Sequence, residues 1–170
     1  EWSGHVLRSA ITLKLLIYED TGAMVAAATT SLPEAVGEVR NWDYRFCWLR
    51  DSSLVLEAMA RVGQFQEMKG FVNFLLQVFE SKQTKVQILY RVDGSPDLDE
   101  EILPHLAGYR DSKPVRIGNA ASRTRQNDIF GEVLNTIHLY YLHYQLEPMP
   151  EEMWSLVKFM VRTSAREWAS

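Results

Sequence analysis

The stretch RNWDYRFCWLRDSSLVLEAM, residues 40–59, divides into two kinds of text. Its front half sets Trp42, Tyr44 and Trp48 among arginines and aspartates, with Cys47, the single cysteine of the sequence. Its back half is apolar and helix-forming. Leu54, Val55, Ala58, Met59 and Val62 recur at helical spacing. Asp51 and Ser52 are both competent N-caps, so the helix is expected to begin there and to end at Gly63. The stretch thus reads as a loop that carries a dense aromatic and charged cluster to the mouth of a buried helix.

Working outward, HVLRSAITLKLLIY (5–18) predicts a first helix. Val6, Ala10, Leu13 and Ile17 line one face, and Leu7, Ile11, Leu15 and Tyr18 widen it toward burial on much of the circumference. Gly22 supplies a positive-φ turn at its end. Residues 23–50 read as an extended loop punctuated by Pro33 and Gly37. Gln66 to Phe79 predicts a third helix carrying Met68, Phe71, Val72, Leu75, Leu76 and Phe79. KVQILYR (85–91) alternates as one short strand. A second long loop covers 92–127. Helices over Asp128–Gln145 and Glu151–Trp168 follow, separated by Pro148 and Pro150. Helical pairs joined by long loops suggest stacked helical hairpins, and long loops in a compact domain ordinarily build a site. Both loops concentrate Trp, Tyr, Arg, Asn, Gln and Asp where they meet the next helix.

The 170 residues suffice for one domain with a core, and 46% hydrophobic with 24% charged residues is an ordinary globular mixture. A net charge of −4 gives no electrostatic case for nucleic acid or an anionic membrane. No apolar run reaches transmembrane length. The start, Glu1-Trp2-Ser3-Gly4-His5, lacks the regions of a signal peptide and an initiator methionine, so a processed or excised chain is expected. A lone cysteine excludes a disulfide framework within the chain and suits a reducing, cytoplasmic compartment. Cys47 reads as a small packed side chain, since no histidine stands nearby to activate it. His138 and His143, five apart, lack the partners of a metal set, and no glycine pattern makes a phosphate loop; no metal or cofactor is expected.

Arg50-Asp51 admits two readings. In one, Asp51 caps the helix, where free N–H groups and the macrodipole favour a carboxylate. In the other, aromatic rings cover the C–H face of a sugar while the fixed guanidinium and carboxylate bond paired hydroxyls. Spacing alone leaves both open.

Longer strings go further. LPEAVGEVRNWDYRFCWLRDSSL, YRVDGSPDLDEEILPHLAGYRDSKPVRIGNAAS and QNDIFGEVLNTI, in this order, resemble the glucoamylase family of glycoside hydrolases, family fifteen, in its bacterial and archaeal branch. The resemblance implies an all-α fold, the amino-terminal portion of an (α/α)6 barrel over 1–170, with one short strand or hairpin and the site in connecting loops. A β-sandwich domain and the rest of the barrel are expected outside this chain. It implies that Tyr44, Trp48, Arg50 and Asp51 surround the terminal non-reducing glucose, and that Gln126 and Asp128 come from the next site loop. Fungal members carry a tryptophan shortly before that second motif; here Ala121 to Arg125 contain no aromatic.

The implied activity is inverting, exo-acting hydrolysis of α-glucosides of the glucoamylase type, with α,α-trehalase as the alternative within the family. A dextran- or isomaltose-type specificity comes third, and a sugar-binding remnant without catalysis is the non-enzyme reading. The substrate is maltodextrin, starch or trehalose, and the remaining partner is the rest of the barrel. An inverting site needs an acid and a base about 6.5–9.5 Å apart. The family's acid lies in a Gly-x-Trp-Glu segment and its base further on, and neither string occurs here. Glu167-Trp168 reverses the order. No catalytic residue is therefore identified, and the chain by itself is expected to be inactive. Asp97, Asp99, Glu100 and Glu101 read as a solvated turn and helix start, whereas Asp43 could join the site. A partial barrel also leaves apolar helix faces without a neighbour.

Overall fold

The computed structural model describes residues 2–80, 86–146 and 148–168. The fold is all-α with short extended pieces: α1 Ser3–Lys14, α2 Leu49–Arg61, α3 Gln66–Glu80, α4 Asp128–Tyr144 and α5 Glu151–Trp168. Helix α4 is central. It packs along α2 and also meets α3 and α5, which touch each other. The core between them holds Leu56 and Met59 of α2, Phe71, Phe74 and Leu75 of α3, Val133 and Ile137 of α4, and Met153 and Met160 of α5. Each such side chain contributes about 1.5–3 kcal/mol relative to exposure.

The expected bounds hold closely for α3, α4 and α5. In α3 the apolar residues recur every three to four positions and Phe74 and Val78 join the buried face. Gln145 closes α4 in the left-handed conformation, φ 50°. Two helices differ from expectation. The first stops at Lys14, and none of its residues is buried. Its apolar side chains exist, but no described element covers them: Val6, Leu7 and Ile11 are exposed. Beyond it, Ile17 and Met24 form an antiparallel bridge. Gly22 does take positive φ, in the turn of that bridge rather than at a helix end. In α2 the buried face is Leu49, Ser52, Ser53, Leu56 and Met59, and Leu54 and Val62 face outward. The two serines are tolerated inside because Ser53 donates to Leu49 O at 2.8 Å and Ser52 to Met24 O at 3.4 Å.

Two antiparallel ladders replace the one strand expected. β1 (Cys47–Trp48) pairs with β2 (Leu89–Tyr90), Cys47 opposite Tyr90 and Trp48 opposite Leu89. Lys85 lies outside the described residues. β2 is buried on both sides, which is why the pattern from Val86 to Tyr90 does not alternate cleanly. β3 (Glu101–Ile102) pairs with β4 (Arg116–Ile117) inside the second long loop. Residues 99–101 therefore enter a strand, not a helix, and two short 3-10 turns, Tyr109–Asp111 and Ala120–Arg123, complete the loop.

The first loop is extended against itself. Ala26 N donates to Phe46 O, Ala27 N to Tyr44 O and Ser31 N to Trp42 O, each at 2.9–3.0 Å. The second loop is fastened across it: Arg116 N donates to Ser31 Oγ at 2.7 Å and Thr30 Oγ1 to Arg116 O at 2.7 Å. Backbone groups that a loop would leave to water are thus satisfied within the pair. The two loops are thus hydrogen-bonded to each other ahead of α2 and α4.

Candidate functional site

The start of α2 is set by β1, not by a side-chain cap. Trp48 occupies the cap position with extended backbone, φ −75° and ψ 126°, and its side chain makes no capping bond. Leu49 N donates to Ile88 O at 3.0 Å, so a helix-terminal N–H is used by the strand next door. Arg50 and Asp51 follow in the first turn. Asp51 is therefore inside the helix rather than at its cap, and the expected start moves two residues earlier.

Arg50 gathers three of the other predicted residues. Its Nη1 donates to Gln126 Oε1 at 2.5 Å and to Asp128 Oδ2 at 3.1 Å. Its Nη2 lies 3.1 Å from Asp51 Oδ2. That last contact is at ion-pair distance, yet Asp51 Oδ2 is buried without an aligned hydrogen-bond donor. The Arg50 side chain is 32% exposed, and Asp51 and Asp128 are 41% and 46% exposed, so the group opens to solvent. Tyr44 and Trp48 stand together, ring centroids 6.1 Å apart and tilted by 43°. Trp48 is almost wholly buried and Tyr44 is exposed. All six predicted residues thus lie on the start of α2, the loop leading to it, and the start of α4. Trp42 is engaged elsewhere, with the Arg40 guanidinium 5.6 Å from its ring centre.

The arrangement offers a planar fork of donors, two carboxylates and an amide on one side. An aromatic pair precedes it along the same loop. Guanidinium and carboxylate supply hydrogen-bond donors and acceptors in fixed planes.

Other candidates resolve differently. Asp43, considered for the site, has no exposed surface and accepts from Arg45 Nε and Nη2, both at 2.8 Å. Its hydrogen bond also holds the Arg45 guanidinium above its ordinary pKa. The carboxylate is thus engaged by the Arg45 fork. Asp99 pairs with Arg123 at 2.6 Å on the surface, and Glu100 with Arg116 at 2.8 Å in a half-buried setting. His143 stacks on Phe65, centroids 3.4 Å apart. Among the described residues no three or more His, Cys, Asp or Glu groups converge as a metal set. None of the described helices is long and apolar enough to cross a membrane.

Cys47 is fully enclosed, with Ser52 Oγ at 3.4 Å from its sulfur. Burial pushes its thiol up to about 11. The thiolate needed for reaction is thus scarce at neutral pH. A thiol reagent at pH 8 is expected to leave Cys47 unmodified in the folded protein and to label it after denaturation. Rapid labelling of the folded protein would contradict this packing.

Sequence reading missed the residues that fasten the loops, Ser31, Arg116 and Asn119. Asn119 followed by small residues is a readable turn signal. Its partner, the backbone of Asp43, is 76 residues away and invisible to such a pattern.

Residues 3–170 match the family described as glycosyl hydrolases family 15. A protein named trehalase from Mycolicibacterium smegmatis is 42% identical over 98% of this chain and 25% of its own length. Trehalase 1 of Sulfolobus acidocaldarius is 42% identical over 96% of the chain and 30% of its own length. The trehalase of Thermoplasma acidophilum is 47% identical over 78% of the chain and 22% of its own length. The chain therefore spans about a quarter of the length of these curated relatives. No solved structure matches it. With the match running through nearly the whole chain, this protein belongs to family 15 of the glycosyl hydrolases.

Proposed function

We propose that residues 1–170 form the amino-terminal portion of an α,α-trehalase barrel and carry its pocket for one glucose of the disaccharide. The observation that carries the reading is the Arg50 guanidinium, which meets Asp51, Gln126 and Asp128, with the Tyr44–Trp48 ring pair on the segment leading into the same helix. Trehalose is preferred over maltodextrin or starch because the relatives bear the name trehalase. That choice reverses the order given by the sequence motifs alone, which favoured glucoamylase-type hydrolysis.

In this reading the Arg50 fork and the Asp51 carboxylate bond the outer hydroxyls of the glucose, and the Tyr44–Trp48 pair covers an apolar ring face. Gln126 and Asp128 hold Arg50 in register. Inversion requires leaving-group protonation and water activation in one transition state. Three of the loop carboxylates are committed to arginines: Asp43 to Arg45, Asp99 to Arg123 and Glu100 to Arg116. The acid and base are assigned to later segments of the full-length protein. Binding that does not strengthen in the transition state accelerates nothing. The 170 residues alone are thus expected to be inactive.

The test follows glucose release from trehalose, maltose, isomaltose and soluble starch, using the full-length protein and the isolated chain. The expected result is release from trehalose by the full-length protein, well above maltose, and none by the isolated chain. Turnover of maltose and starch without trehalose would return the glucoamylase-type reading. Sugar binding without turnover by the full-length protein would make it a binding protein. Activity of the isolated chain that is lost on replacing Asp43 or Glu101 would put the acid in the first 170 residues.

A further inference from the structure

We propose that Asn119 is a positioning residue for the pocket, its buried carboxamide locking the loop that presents Tyr44 to the turn that delivers Gln126 and Asp128. This rests on the reading of the Arg50 group as a sugar pocket.

Asn119 is 4% exposed, and every polar group described for it is used. Its Nδ2 donates to Asp43 O at 2.9 Å, one residue before Tyr44. Its Oδ1 accepts from Ala121 N at 2.9 Å and so caps the 3-10 turn Ala120–Arg123. Its backbone N–H donates to Leu98 O at 2.9 Å. That turn runs directly into Gln126 and Asp128, the two residues that hold Arg50 Nη1. One side chain therefore bonds the two segments that lead into the proposed pocket, at positions one residue before Tyr44 and five residues before Gln126. A buried amide can do this only in one orientation, because both its donor and its acceptor have a fixed partner.

Gly118 secures the approach. It takes φ +72°, and a Cβ there would stand 1.9 Å from Asp99 O. The backbone must therefore lie flat against residues 99–100 as it reaches Asn119. Arg116 is bonded by Ser31 and Thr30, also between the two loops. Those bonds reach the first loop through Thr30, the bridge partner of Asp43, and Ser31, whereas the Asn119 side chain bonds Asp43 O itself. The two fasteners can be separated by mutation.

Asn119→Asp isolates the bond. A carboxylate still accepts from Ala121 N but cannot donate to Asp43 O. Ser31→Ala serves as the comparison that weakens the loop pair without touching Asn119. Both are made in the full-length protein, read by hydrogen–deuterium exchange, melting temperature and steady-state kinetics on the disaccharide it turns over. For Asn119→Asp, faster exchange is expected in peptides covering 42–46 and 119–128. A 10- to 100-fold loss in kcat/KM is expected, mostly in kcat, because displacement of bound substrate by about 1 Å has effects of that order. Ser31→Ala, at a similar fall in melting temperature, is expected to keep kcat/KM within about threefold, below any such positional effect. Equal kinetic losses in the two variants would reduce Asn119 to general loop stability. Unchanged exchange at 119–128 in Asn119→Asp would overturn the proposal outright. If the full-length protein turns over no glucoside, the pocket reading fails, while exchange still decides whether Asn119 holds the two loops together.

Discussion

Arg50→Lys in the full-length protein is expected to lower kcat/KM on its disaccharide by at least about 100-fold, the scale on which removing one well-placed polar partner acts. The geometry gives the reason. Arg50 Nη1 serves Gln126 and Asp128 while Nη2 faces Asp51. Two nitrogens of one plane thus tie the start of α4 to the start of α2. A lysine ammonium is a single point on a flexible stem and cannot occupy both positions at once. Its replacement leaves Asp51 or Asp128 without a partner, and in the proposed pocket one donor fewer would face the sugar. Asp51→Asn is expected to cost a similar factor. The amide keeps the shape but presents a donor where a carboxylate oxygen now lies buried and unaligned. Melting temperatures should fall little for either variant, since ion pairs of this exposure contribute about 0–1 kcal/mol. Near-normal turnover together with a large drop in melting temperature would instead assign Arg50 and Asp51 to the helix start alone.

That alternative is already weakened by where α2 begins. A capping aspartate precedes the helix and bonds its N2 or N3 N–H. Asp51 lies within the first turn, and the cap position belongs to Trp48. The macrodipole still favours an acidic residue in that first turn. Local helix energetics and the proposed pocket chemistry therefore ask for the same residue.

How much of this could be read from the sequence follows from the range of each interaction. Helices α3 and α5 were legible because their burial repeats at 3.6 residues and local spacing carries the signal. The buried face of α2 was misjudged because Ser52 and Ser53 point inward. Their hydroxyls are satisfied by Met24 O and Leu49 O, partners that hydrophobic periodicity does not register. Helix α1 has the composition of a buried helix and an apolar stripe, yet burial depends on what lies opposite, and none of its residues is buried. The second loop was read as unstructured because β3 and β4 are only two residues each. At the site, Trp48-Leu49-Arg50-Asp51 marked itself by composition. The link from Arg50 to Gln126 spans 76 residues and came only from the family resemblance. Asn119 carried a turn signal and no more.

Gly22→Ala is expected to be among the most destabilising single changes in the chain, by roughly 3 kcal/mol, whereas Gly70→Ala should stay within about 1 kcal/mol of the parent. The two glycines face each other. Gly22 sits at φ +80° in the turn between Ile17 and Met24, and a Cβ there would lie 2.2 Å from Gly70 C and 2.4 Å from Gly70 O. The obstacle is helix backbone, which cannot rotate aside as a side chain can. Left-handed backbone adds about 1–2 kcal/mol for any residue with a Cβ. Gly70 is in the interior of α3 with ordinary helical backbone, and its added Cβ would meet only Gly22 Cα at 3.3 Å. That tight contact opposes a helix-propensity gain of up to about 1 kcal/mol. The asymmetry matters for the site because of what else the turn touches. Thr21 Oγ1 donates to Val92 O at 2.6 Å, just beyond β2. β2 in turn pairs with β1, which ends at Trp48 and starts α2. Lifting the turn off α3 strains the strand pair that places Arg50. Thermal unfolding of the two full-length variants, with exchange measured over 17–24 and 86–92, checks the prediction. A Gly22→Ala protein that melts with the parent while Gly70→Ala melts early would show that the turn does not rest on α3 in this way.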